Sequence, residues 1–100
     1  MRRKAGALLP IEIACLRAGI ALRRVGDCEF YAYVIAREVS DEDRARSLVA
    51  NGTVYRALAR LEIRGLLATR WEDPRMAAAE RRPRRRMYRV TAEGEGSVPA

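Results

Sequence analysis

Gly65 divides this chain into two kinds of pattern. Before it, apolar residues recur at helical spacing; after it, two short runs mix apolar or aromatic residues with polar ones, as strands do. The segment 51–64 places Val54, Ala57, Leu58 and Leu61 on one side, and the glycine that follows suits a helix C-terminus. The strand-like runs are 66–71 and 86–91, and the stretch between them, 72–85, is polar and punctuated by Pro74 and Pro83. A chain of 100 residues holds one modest core, so these pieces are expected to share a single domain.

Two further helices are predicted upstream. Pro10 suits a first helical turn, and apolar character continues to Val25. Ile11, Ala14, Cys15, Ala18, Ala21, Leu22 and Val25 share one side, and Ile13, Leu16 and Ile20 share another. Glu12 and Arg23 separate these faces on one flank, Arg17 and Arg24 on the other. The second face serves either a homodimer or the domain's own wrapping. Asp27 is placed to cap a second helix with Phe30, Tyr31, Val34, Ile35 and Val39 inward. Residues 40–47, acidic at Asp41, Glu42 and Asp43, read equally as a loop or an extra helical turn. Residues 1–7 are expected to be a flexible basic arm. The tail 93–100 has no apolar stripe and is expected to be flexible too. The fold class is therefore mainly α with a small β-hairpin: a winged helix-turn-helix of three helices and a two-stranded wing over residues 8–92.

Charge points to a polyanionic partner. Lys and Arg number 20 against 13 Asp and Glu, a net +7, and Lys4 is the sole lysine. Guanidinium suits bidentate contact with phosphate or guanine edges, although a GC-rich genome also favours Arg codons. On the third helix, Thr53, Arg56, Arg60 and Arg64 fall on one face, with Asn51 at the helix start; Ile63 has no account there. A second cluster, Arg81, Arg82, Arg84, Arg85 and Arg86, lies between and at the start of the strand runs. In a winged helix these are the two places that meet DNA: the third helix enters the major groove and the wing follows the backbone.

Other classes find little support. Histidine is absent, Cys15 and Cys28 are scattered, and no recognisable catalytic arrangement exists, so neither an enzyme, a metal site nor a cofactor is expected. Cys15 reads as a small hydrophobe, while Cys28, near a predicted helix start, is a minor redox candidate. The apolar stretch 5–22 follows Arg2, Arg3 and Lys4, but Glu12 and Arg17 interrupt it, so a buried helix is preferred to a signal peptide, and a cytoplasmic address is expected. Trp71 and Tyr88, on the two wing strands, are expected to pair across them.

Here the sequence also resembles a family. Gly52-Thr53-Val54-Tyr55-Arg56-Ala57-Leu58-Ala59-Arg60-Leu61-Glu62 with Gly65-Leu66-Leu67 resembles the recognition helix of PadR-type transcriptional regulators. Arg84-Arg85-Arg86-Met87-Tyr88-Arg89-Val90-Thr91-Ala92-Glu93-Gly94 is similar to that family's basic wing strand and closing Thr-x-x-Gly, and Phe30–Ile35 to its second helix. The resemblance spans roughly residues 8–95. It implies dimeric repressors that read inverted-repeat operators and are often released by small aromatic or cationic effectors. Thr53, Tyr55, Arg56 and Arg60 then match the DNA-reading helix, and Arg84 and Arg85 the wing. Ala32 stands where the family usually has Gly, and Ala50 where it tends to have Ser. Members usually continue into a C-terminal dimerisation helix, which this chain does not show.

The leading expectation is a sequence-specific regulator of double-stranded DNA, acting as a repressor. An architectural or recombination accessory protein is the first alternative, marked by steep salt dependence without operator preference. A winged-helix protein-interaction module is the second, marked by negligible duplex affinity at low salt.

Overall fold

Pro10 opens α1 (Pro10–Arg24), where its missing N–H costs nothing and its fixed φ suits the first turn. The computed structural model describes residues 7–42 and 51–99. After α1 come β1 (Phe30–Tyr31), α2 (Ala32–Glu42), α3 (Asn51–Ile63), β2 (Leu67–Trp71), α4 (Pro74–Ala79), β3 (Arg86–Val90) and α5 (Ala92–Gly96). The helices α1, α2 and α3 pack against one antiparallel sheet of order β1-β3-β2, the expected winged helix-turn-helix with one strand more. Most of the basic arm and the stretch 43–50 lie outside the described residues; of the segment left open between loop and helix, residues 40–42 belong to α2.

Two helices stop by the same device. Gly26 and Gly65 take φ values of 100° and 76°, open to glycine and costly for other residues. Past α3, the Gly65 N–H donates to the Glu62 carbonyl (3.0 Å) and the Leu66 N–H to the Leu61 carbonyl (2.9 Å). Past α1, the Gly26 and Asp27 N–H groups reach Arg23 and Leu22 in the same way. These paired bonds satisfy carbonyls that a helix end leaves open.

The buried side of α1 differs from the expected one. It runs through Glu12, Cys15, Leu16 and Gly19, spaced i, i+3, i+4 and i+7, with Ala18 beside them. The carboxylate taken for a flank marker thus sits mid-face. Leu16 has no exposed surface and belongs to the chain's own core, so a dimer face of Ile13, Leu16 and Ile20 is corrected: only the two isoleucines keep any exposure. Val25, expected inward, is exposed, because it lies in the terminal turn and not on the packed face. At Gly19 the helix comes close to the sheet, where an added Cβ would stand 2.7 Å from Val90 Cγ2 and 2.9 Å from Phe30 Cε1. The core is completed by Ile35, Ala36 and Val39 from α2, by Val54, Ala57, Leu58 and Leu61 from α3, and by Leu66, Leu67 and Val90. Cys15 lies in it, and burial pushes its thiol up to about 12, so it behaves as a small hydrophobe.

Three further expectations are revised. Asp27 does not cap the second helix; Phe30 and Tyr31 form β1 first, opposite Tyr88 and Met87 of β3, and α2 begins at Ala32. Aromatic residues favour this pairing, and the strand covers an edge of β3 that a two-stranded wing would leave open. Exposed Cys28 therefore lies in the connection before β1 and not at a helix start. The loop 72–85 contains α4, opened by Pro74 after the Asp73 side chain, which accepts from the Arg75 N–H at 2.9 Å. Finally, the tail forms α5. The Thr91 hydroxyl accepts from the Gly94 N–H (3.0 Å) and donates to the Gly65 carbonyl (2.8 Å), tying the wing's end to the end of α3.

Gly94 is buried, and a Cβ there would overlap the Leu66 carbonyl oxygen. Gly94→Ala is therefore expected to lower stability by about 1–3 kcal/mol, the usual cost of overpacking a close contact. Urea unfolding of the variant beside the wild type measures this; an unchanged midpoint means α5 does not dock as described.

Candidate nucleic-acid interface

One buried carboxylate ties α3 to the start of α1. Glu12 retains 3 % of its exposure. Its Oε1 accepts from the Leu9 N–H at 2.7 Å, the half of a capping box open to a helix preceded by leucine, and its Oε2 accepts from Arg60 Nε at 2.7 Å. Burial works to raise the Glu12 carboxyl, but the bonds from Arg60 and Leu9 outweigh it and hold the group below its ordinary value. Arg60 thus leans toward α1, away from the outward face of α3. That face presents Tyr55, Arg56, Ala59 and Ile63, with Arg64 exposed at its margin. Ile63 is 84 % exposed there. The expected stripe is therefore divided, because the helix rolls to bury Val54, Ala57, Leu58 and Leu61. Arg56 Nη2 lies 3.5 Å from Thr53 Oγ1, folding back over the first turn. The Asn51 side chain lies outside the described residues.

The wing arginines divide in the same way. Arg82 is mostly covered and grips Glu72 with two parallel bonds, Nη1 to Oε1 at 2.6 Å and Nη2 to Oε2 at 2.7 Å, while its Nε meets Glu80 at 2.9 Å. This bidentate grip, with the Arg85 N–H, holds the Glu72 carboxyl down to about 2. Arg86 donates to Glu62 of α3 (2.8 Å) and to Thr69 (2.9 Å), so it joins the wing to the helix. Both arginines expected at DNA have structural partners inside the protein. Arg81 and Arg84 are exposed, Arg81 in a turn with φ of 54°. Arg84 donates from Nε to the Glu72 carbonyl at 3.1 Å.

Aromatic rings position the remaining guanidiniums. Trp71 stands opposite Arg86, and Tyr88 opposite Thr69, so the expected Trp71–Tyr88 pair does not form. Trp71 instead lies under two cations, with Arg84 at 5.5 Å and Arg86 at 5.4 Å from its ring centre. Tyr88 stacks on Phe30 at 6.1 Å. Arg85 sits 4.0 Å over the ring of Tyr31, and Arg37 lies 6.0 Å from that of Tyr33. Tyr31, Tyr33 and Arg37 were not singled out as site residues. Of these, Tyr31 is the one expected on the buried side of the second helix; it lies instead in β1, beside the wing strand β3.

Comparison with known proteins agrees with this architecture. Residues 22–98 match the sequence profile of the transcriptional regulator PadR-like family. Among solved structures, a PadR family transcription regulator from hypervirulent Clostridium difficile R20291 superposes with a TM-score of 0.60 at 26% identity, covering 86% of this chain and 76% of that one. A transcriptional regulator from Clostridium thermocellum superposes with a TM-score of 0.61 at 24% identity, covering 86% of this chain and 70% of the other. A padr family transcriptional regulator from Eggerthella lenta DSM 2243 gives 0.52 at 24%, covering 81% and 66%. These last two speak for the fold. A search among curated proteins finds no match. Among the described residues, no helix is long and apolar enough to cross a membrane.

The Glu12–Arg60 pair carries a pH signature. A carboxyl held below its ordinary value in the folded state contributes stability that is full above its unfolded value and is lost as pH falls through the folded one. Glu12→Gln is expected to flatten the acid side of the stability–pH curve, read by urea unfolding at neutral pH and near pH 4. Arg60→Ala leaves the buried carboxylate without its cation and is expected to cost roughly 1–3 kcal/mol; the half-exposed guanidinium keeps this below a fully buried pair. An unchanged acid limb in Glu12→Gln would show that the pair does not form.

Proposed function

The chain belongs to the PadR-like family of transcriptional regulators, and from that premise we propose that it recognises double-stranded DNA sequence-specifically and represses transcription by occupying its operator. DNA binding is implied by the family. The observation that carries the finer reading is the exposed face of α3 lying beside a wing whose outward guanidiniums are held on aromatic rings.

In this reading the first turns of α3 enter the major groove, with Arg56 nearest the base edges and Arg64 farther along. Helix N-termini attract phosphate, so Asn51 and Thr53 are assigned to the backbone at the groove's edge. Arg81 and Arg84 follow the phosphates from the wing, while Arg82 and Arg86 keep that wing in shape. Arg60 is assigned a positioning role through Glu12 and not base reading. A homodimer built on α1 has Ile13 and Ile20 available to it, without Leu16.

Selection of fragments from a genomic pool is expected to enrich an operator. Arg56→Ala should then lose about 1–3 kcal/mol of preference for that operator over random duplex. Arg84→Ala should weaken both duplexes alike and make the salt dependence shallower by about one counterion. Trp71, the sole tryptophan, lies beneath Arg84, and its emission is expected to change when the wing engages DNA. Equal losses on both duplexes from Arg56→Ala would sink the base-reading role, and no enrichment over random DNA would remove operator recognition.

A further inference from the structure

All four tyrosines of the chain meet in one place. Tyr31, Tyr33, Tyr55 and Tyr88, with Arg85 and Arg86, line an open groove of about 220 Å³ between α3, the start of α2 and the wing. Ala32 completes its lining, which contains no carboxylate. Among the described residues, no tyrosine hydroxyl hydrogen-bonds a protein group, so donors are gathered without internal acceptors. The Arg85 guanidinium is stacked on Tyr31 and makes no ion pair with a described carboxylate. A guanidinium held over a ring by its carbon keeps its N–H edge for an oxyanion.

We propose that this groove is a seat for a single phosphodiester of the bound duplex, gripped by the Arg85 guanidinium and by the hydroxyls of Tyr31, Tyr33 and Tyr55. The proposal rests on the DNA-binding reading above and adds residues from β1 and α2 to it. Size decides between occupants. Pockets for drug-sized ligands run to roughly 300–1,000 Å³ and are mostly closed and apolar. This groove is smaller, open and cationic, which suits a phosphate with its flanking sugar better than a drug-sized effector. Position agrees, since a strand running from α3 to the wing must cross the junction where the groove lies. Within the lining, Tyr31 and Tyr33 stack at 6.4 Å, and Tyr88 stacks on buried Phe30.

The test uses the full chain and a short random-sequence duplex, with affinity followed across a salt series. Arg85→Gln is expected to reduce the slope of log affinity against log salt by about 0.9, the signature of one lost phosphate contact. Tyr31→Phe, Tyr33→Phe and Tyr55→Phe keep every ring and remove only hydroxyls. Each is expected to weaken binding about 2–10-fold with the slope unchanged, since no charge is removed. In the Arg85→Gln background those losses should shrink, because the groups share one ligand. Thermal midpoints of the tyrosine variants are expected to match the wild type.

Normal duplex binding in all three tyrosine variants, or an unchanged slope in Arg85→Gln, overturns the seat while leaving the regulator reading intact. Tyrosine variants that lose inorganic phosphate binding by NMR titration, yet bind duplex normally, also overturn it and assign the groove to a free anion. A wild-type chain that binds no duplex at low salt overturns both.

Discussion

The arrangement of this domain turns on the carboxylate of Glu12. One oxygen closes the first turn of α1 and the other holds Arg60 of α3, so a single side chain ties the start of α1 to the flank of α3. A buried carboxylate without such partners would be costly, and that cost makes the relative placement of the two helices specific. The pair acts with the burial of Val54, Ala57, Leu58 and Leu61, and together they turn the face carrying Tyr55, Arg56, Ala59 and Ile63 outward.

A chain with this many arginines faces a problem of division. Guanidiniums used for internal order are lost to a polyanion, and those left outside repel one another. Here acidic residues select which are which. Glu12 takes Arg60, Glu72 and Glu80 take Arg82, Glu62 takes Arg86, and Glu29 takes Arg70 with two bonds of 2.6 Å. Arg84 and Arg85 are instead held on Trp71 and Tyr31, where the cation is oriented without being neutralised. The wing is thereby stiffened by ion pairs on its inner side and remains cationic outside.

Much of this was legible in the residues. The apolar spacing of 51–64, the glycine after it and the two strand runs gave the order of elements, because local periodicity and turn chemistry act within a few residues of themselves. The Thr-x-x-Gly ending was visible as a family likeness, and the structure adds its physical reason: Thr91 bonds both Gly65 and Gly94. The α4 turn also left a readable trace, an Asp-Pro start followed by three alanines, hidden by the proline count of the loop.

Other features had no local signal. β1 exists because β3 offers an edge to Phe30 and Tyr31, and α5 because Gly94 fits against Leu66. Which arginines remain outward depends on carboxylates distant in the chain, 48 residues away for Glu12 and Arg60. Periodicity and punctuation alone were enough for the helices α1 and α3 and the wing strands, and composition for the excess of positive charge. Folding in three dimensions selected the partners of each charge and gathered the four tyrosines, because desolvation and pairing depend on distance in space and leave no pattern along the chain.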